Sequence, residues 1–147
     1  MIHENKVLLL KDLSARLPYN VVVEHVSGIR GTLNDLFVAS FYNKHDEIYK
    51  YEANTATFFG DVACDITKFK PYLFPLSSMT EEQKNYIRNR FCYEWESDEE
   101  ISDLWRHKLE FGDALEFIQW CYENHLDINS LIPMGLANDA TNLDIYG

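Results

Sequence analysis

No stretch of this 147-residue chain holds the ~20 consecutive apolar residues that a membrane-spanning helix requires. The N-terminus, MIHENKVLLLKDLSARLPY, lacks the basic start and small-residue cleavage site of a signal peptide, and its apolar run is short. We therefore expect a cytoplasmic protein with no membrane contact. Cysteine is scarce: Cys64, Cys92 and Cys121 are odd in number and form no C-x-x-C pair. That usage suits buried thiols in a reducing compartment better than a disulfide framework. Glycine-rich phosphate loops, dinucleotide fingerprints, nucleophile elbows and zinc-binding helices are all missing. No cofactor is expected, and no reaction is assigned.

Positive charge is the next scarcity, and it is uneven. Residues 1–75 carry eight Lys/Arg against nine Asp/Glu, whereas residues 76–147 carry five against fifteen. Nearly all of the net charge of −11 belongs to the second half. Such a field repels phosphate backbones, so direct nucleic-acid binding is not expected, and a basic protein partner is.

What the chain does have is core-forming material. Hydrophobic residues make up 46%, with three Trp, nine Tyr and nine Phe, which excludes general disorder. A globule of this length buries roughly 70% of its unfolded surface and needs no metal or disulfide to fold. The chain reads as α+β: a small SH3-like β-barrel or curled sheet over 1–75, then a three-helix module over 76–147. In the first half KVLLL is a short apolar run, NVVVEHV, LFVASFY and IYKYEA read as short strands, and DLSARLPY as a helical turn stopped before Pro18. ATFFGDVACDI reads as two more strands bent at Gly60 and Asp61. Pro71 and Pro75 mark an extended hinge, with Tyr72, Leu73 and Phe74 expected to pack between the halves.

Three helices are expected beyond the hinge. Thr80 and Gln83 form a capping-box pattern, with Ile87 and Phe91 sharing a face behind it. Ser97 and Glu100 form a second box before Ile101, Leu104, Trp105 and Leu109. Ala114, Leu115, Ile118, Cys121 and Tyr122 define the third helix, with Asn124 as its left-handed stop. The tail DINSLIPMGLA then offers Leu131, Ile132 and Leu136 as a clasp over the helices, a docking peptide being the other reading.

Several side-chain sets have residue types found in functional sites. Asp103, His107 and Glu110 could share one helical face, as metal ligands do in di-iron bundles, but the paired Glu-x-x-His motif is missing. An exposed charged face explains them better, and no metal is expected. Cys92 or Cys121 with His107 or His125 could form a nucleophile and base, yet Cys121 lies on an apolar stripe and Cys92 beside Phe91 and Tyr93. Asp61, Asp65, Lys68 and Lys70 have the wrong spacing for a metal-dependent nuclease.

The most unusual stretch is YEWESDEEISDLW. Glu94, Trp95, Glu96, Glu99, Glu100 and Asp103 there form a candidate interface for a basic partner, set against the simpler reading of a solvated first helical turn. An alternative site is a small-ligand pocket for a nucleotide signal. Tyr49, Tyr51, Phe58 and Phe59 could stack a base, with Arg30, Lys68 or Lys70 on a phosphate. A homodimer is compatible with the exposed aromatics, but no symmetric surface is specified.

LKDLSARLPY (Leu10 to Tyr19), FKPYLFPLSSMTEEQ (Phe69 to Gln83) and DINSLIPMGLA (Asp127 to Ala137) follow one another in an order that is itself informative. Together they resemble a widespread group of small proteins encoded by gut Bacteroidales, their phages and mobile elements. In that group the same three blocks frame a variable strand-rich middle, often with D-Y-R-G-L-I in place of DINSLI. The likeness covers about a quarter of the chain, and the acidic insertion from Glu94 to Asp103 departs from the commoner form. The group has no established activity, so no catalytic residue carries over. The resemblance implies a regulator, an inhibitor of a host system or an accessory subunit, acting by occupying surfaces.

Overall fold

The computed structural model describes residues 2–43, 46–58, 62–91 and 111–147, with backbone alone for 37–43, 46–58, 62–63 and 111. The fold is α+β, with an open sheet and with helices at the N-terminus and in the C-terminal part of the chain. The chain forms two compact units, Met1–Tyr72 with Tyr146, and Leu73–Ile145 with Gly147.

The first unit opens with helix α1, His3–Arg16. It takes in the apolar run KVLLL and the start of DLSARLPY, where a helical turn was expected within a strand-rich half. Leucine is a good helix former, and Leu9, Asp12, Leu13 and Arg16 recur at the spacing of one helical face. That face is buried, and it carries an ion pair into the interior. Arg16 donates from Nε to Asp12 Oδ1 at 2.6 Å and from Nη2 to Oδ2 at 3.2 Å, both side chains being fully buried. The helix yields to a 3-10 turn at Leu17–Tyr19 containing Pro18, and Asn20, at φ 58°, turns the chain away.

Strands β1 (Val22–His25), β2 (Arg30–Asn43), β3 (Asp46–Phe58), β4 (Val62–Asp65) and β5 (Phe69–Leu73) follow. Their order across the sheet is β4-β3-β2-β1-β5, every described pairing antiparallel. A closed barrel is therefore ruled out in favour of an open sheet, since no described ladder joins β4 to β5. The physical reason lies in the elements. LFVASFY and IYKYEA belong not to separate short strands but to one hairpin with strands of 14 and 13 residues. That hairpin is interrupted by register shifts at Leu33/Asp35 and Tyr42/Asn43. The Pro-rich hinge is likewise a strand: Pro71 lies opposite Val23 and Phe69 opposite His25. Among the described residues of this unit, Leu9, Leu13, Val21, Val23, Leu33, Ile66, Phe69 and Tyr72 are apolar and buried.

The second unit contains α2 (Glu81–Phe91) and α3 (Phe111–Glu123). The capping box at α2 is formed reciprocally. Thr80 N–H donates to Gln83 Oε1 at 3.0 Å, and Gln83 N–H donates to Thr80 Oγ1 at 3.1 Å. Ile87 and Phe91 of α2 pack with Phe117 and Cys121 of α3, Met79, Leu126 and Ile128 in one apolar cluster. Arg90 ties the same two helices on their outside, donating to Glu116 and reaching Asp113 at 3.4 Å. The helix expected from Ser97 lies outside the described residues.

His125, not Asn124, is the left-handed residue after α3, at φ 58°. Asn124 instead turns its side chain back, Nδ2 donating to the Trp120 carbonyl at 2.9 Å. The chain then pairs with the segment before α2: Phe74 N–H donates to His125 O, and Asp127 N–H donates to Phe74 O. Asp127 is buried, and its two carboxylate oxygens accept from Leu131 N–H at 2.8 Å and Ile132 N–H at 2.9 Å. This holds the tail in a tight loop. Leu131 and Leu136 are buried, Ile132 is half-buried and Met134 is exposed. Farther on, Ala140 N–H, just past the two-residue strand β6 (Asn138–Asp139), donates to Leu73 O.

Candidate functional site

The expected acidic interface, Glu94, Trp95, Glu96, Glu99, Glu100 and Asp103, lies outside the described residues, as do Cys92, His107, Glu110, Phe59 and Asp61. Among the described residues no group of three His, Cys, Asp or Glu is arranged to hold a metal ion, and no helix is long and apolar enough to cross a membrane.

The residues of the small-ligand alternative are spread over the sheet of the first unit. Tyr51 pairs in register with Phe41, and Phe58 with Leu33 and Val62; Tyr49 also lies on β3. Arg30 opens β2, where its guanidinium serves two neighbours. Its Nε donates to Glu24 Oε2 at 3.2 Å, and its Cζ lies 5.0 Å from the centroid of the Tyr72 ring. Tyr72 also donates its hydroxyl to Glu24 Oε2. The hydrogen bond from Tyr72, with help from Arg30, holds the Glu24 carboxyl below the usual range despite some burial. Burial and the Glu24 charge push the Tyr72 phenol up, and the Glu24 hydrogen bond raises Arg30 further. This is a satisfied cross-strand network, and the charge of Arg30 is largely neutralised within it. Lys68 is exposed at the end of a 3-10 turn capped by Asp65, whose Oδ1 accepts from Thr67 N–H at 2.9 Å. The turn-capping role accounts for Asp65 without metal chemistry. Cys121 is fully buried within the apolar cluster, where its thiol fills space.

A concave site does occur in the second unit, built from residues that sequence reasoning passed over. The capping box fixes Thr80 and Gln83, and Tyr86 follows Gln83 by three residues, on the neighbouring turn of α2. Trp120 stands three residues beyond the buried Phe117 on α3, and Asn124 four beyond Trp120. Packing of Ile87 and Phe91 against Phe117 brings these two rows together. The rings of Tyr86 and Trp120 stack with centroids 5.0 Å apart and planes at 17°. Thr80, Glu82, Gln83, Tyr86, Trp120 and Asn124 line a groove of about 430 Å³. That volume lies within the range of ordinary ligand clefts.

The chemistry of the lining is one-sided. Among the described residues it contains a carboxylate, a π-stack and amide and hydroxyl groups, but no Lys, Arg or His. Glu81, beside it, is shared by Lys84 and Arg88 at 4.0 Å each, whereas no described cation pairs with Glu82. The N–H groups of Thr80 and Gln83 are already satisfied by the capping box, so the start of α2 offers no open cradle for an anion at those positions.

No family model matches this chain, and neither the curated proteins nor the solved structures compared with it give a match.

Proposed function

We propose that this protein is a non-catalytic binding protein that engages a basic protein partner through its acidic, aromatic-bearing second half. The observation that carries the reading is the charge partition, five Lys/Arg against fifteen Asp/Glu over residues 76–147. A field of that sign speeds encounter with basic surfaces and opposes nucleic acid. The groove at Tyr86 and Trp120 supports it, because an aromatic pair beside a carboxylate that no described cation pairs with is the composition of a docking site for cationic side chains. The resemblance of the three framing blocks to mobile-element and phage proteins favours inhibition of a host system as the setting.

The test is binding of a partner captured from host lysate, measured at increasing salt. Affinity should fall steeply between 50 and 300 mM NaCl, and the paired replacements Glu99→Gln and Glu100→Gln should reduce both affinity and salt slope. Trp95→Ala should weaken binding with little change in slope. Salt-indifferent binding would remove the acidic surface from the contact.

A further inference from the structure

We infer that the groove lined by Thr80, Glu82, Gln83, Tyr86, Trp120 and Asn124 receives an arginine side chain of the partner. This inference deepens the proposed function and rests on the reading of a basic partner.

Four features of the groove select this occupant. The first is π surface: Tyr86 and Trp120 stack at 5.0 Å, and Tyr86 is 38% exposed despite its size. A phenol ring attracts a planar cation, and the Trp120 indole, itself stacked by Tyr86 and Phe117, backs that ring. The second is an unused carboxylate. Glu82 is exposed and pairs with no described cation, while its neighbour Glu81 is occupied by Lys84 and Arg88. The third is the pattern of hydrogen-bonding capacity. Asn124 spends Nδ2 on the Trp120 carbonyl, which leaves Oδ1 as an acceptor. With Glu82, the groove offers acceptors to a ligand rich in donors, and a guanidinium carries five of them in a plane. The fourth is repulsion. An anionic ligand would meet the Glu82 charge with no lining cation to offset it, and an apolar side chain would strand the carboxylate and the amides. About 430 Å³ exceeds what a guanidinium fills, so the flanking peptide of the partner enters the groove with it.

Arginine is preferred to lysine for a geometric reason. The two rings are near parallel, with planes at 17°, and present a flat stack that a planar guanidinium can extend. A lysine ammonium is a compact, strongly hydrated charge that gains less from such a surface.

The experiment uses the full-length chain labelled with nitrogen-15 and follows the indole N–H of Trp120. That signal is assigned by its persistence in Trp95→Phe and Trp105→Phe variants. The probe is N-acetyl-arginine methylamide, with the lysine and glutamine analogues as controls. A saturable shift at Trp120 is expected with the arginine probe, with at least 3-fold weaker binding of both analogues. Glu82→Gln, at an exposed position, should weaken the arginine probe about 3- to 10-fold, by loss of a charge-assisted contact. Tyr86→Leu should weaken it about 2- to 5-fold, by loss of the outer ring. A silent Trp120, equal binding of the glutamine probe, or no effect of Glu82→Gln would each overturn the assignment. A ten-residue lysine peptide titrated in parallel separates the two levels. If it binds with strong salt dependence while Trp120 ignores the arginine probe, the groove assignment falls and the acidic-contact reading stands. If neither binds, both fall.

Discussion

Replacing Tyr146 with phenylalanine removes one oxygen atom at a position where two strands part. The Tyr146 hydroxyl accepts from Val22 N–H at 3.1 Å and donates to the Tyr72 carbonyl at 2.6 Å. Val23 pairs with Pro71, so the antiparallel register carried one step further sets Val22 opposite Tyr72. The hydroxyl thus bridges the two strands at the end of their ladder. Two hydrogen bonds at about 1 kcal/mol net each put the cost of Tyr146→Phe near 2 kcal/mol at neutral pH. The same geometry fixes a pH dependence. Burial pushes the Tyr146 phenol from 10.0 up to about 12, only partly offset by the Val22 N–H and the Arg16 charge. Because the folded value is raised, the stabilisation is complete below pH 10 and is lost as pH climbs from 10 through 12. Phenylalanine cannot ionise. The stability gap between wild type and variant should therefore shrink by about 1.4 kcal/mol between pH 8 and pH 11. Urea denaturation followed by far-UV circular dichroism at four pH values measures that gap, and titration of the other tyrosines and lysines cancels in the comparison. A gap constant from pH 8 to 11 would refute the buried, bridging phenol.

Three further outcomes follow from the packing. Asp127→Ala removes the acceptor of Leu131 N–H and Ile132 N–H, and should cost about 2–4 kcal/mol. It should also accelerate hydrogen exchange at those two amides ahead of the α3 core, and unchanged exchange there would count against the clasp. Thr80→Ala should lower stability by about 1 kcal/mol in a chemical melt, since it opens the capping box at α2. Asp12→Ala leaves Arg16 charged and buried, and should cost about 3–5 kcal/mol, whereas Asp12→Leu with Arg16→Met should be far milder. A double variant as damaged as the single one would mean that the pair is held by more than mutual compensation.

These residues also give a physical account of the three blocks that frame the chain. LKDLSARLPY supplies the buried Asp12–Arg16 pair and the Pro18 turn; FKPYLFPLSSMTEEQ supplies β5, Phe74 and the capping box; DINSLIPMGLA supplies Asp127 and the buried leucines. Each block closes a helix end or satisfies a buried polar group. Such positions tolerate few replacements, because a lost partner leaves a desolvated donor or charge.

Local sequence was enough for the elements whose signal is local. The β-branched run at Val21 to Val26 gave β1, LFVASFY and IYKYEA lie within the long hairpin, and Thr80 with Gln83 located the start of α2 to the residue. The acidity of the second half and the apolar character of the tail needed no coordinates either. Short apolar runs are ambiguous between strand and helix, and KVLLL became helical because Leu9, Leu13 and Arg16 recur on one face. The Asp12–Arg16 spacing was visible in the sequence, but only a helix gives that spacing a meaning. Other features have no local signal at all. Tyr146 finds Val22 and Tyr72 across most of the chain, Phe74 finds His125, and Tyr86 stacks on a Trp120 that stands 34 positions away. Local propensity, capping and charge are properties of a few neighbouring residues, so the sequence determined them by itself. Open sheet or barrel, clasp geometry and groove depend on which distant surfaces bury one another, and only the tertiary structure decided those.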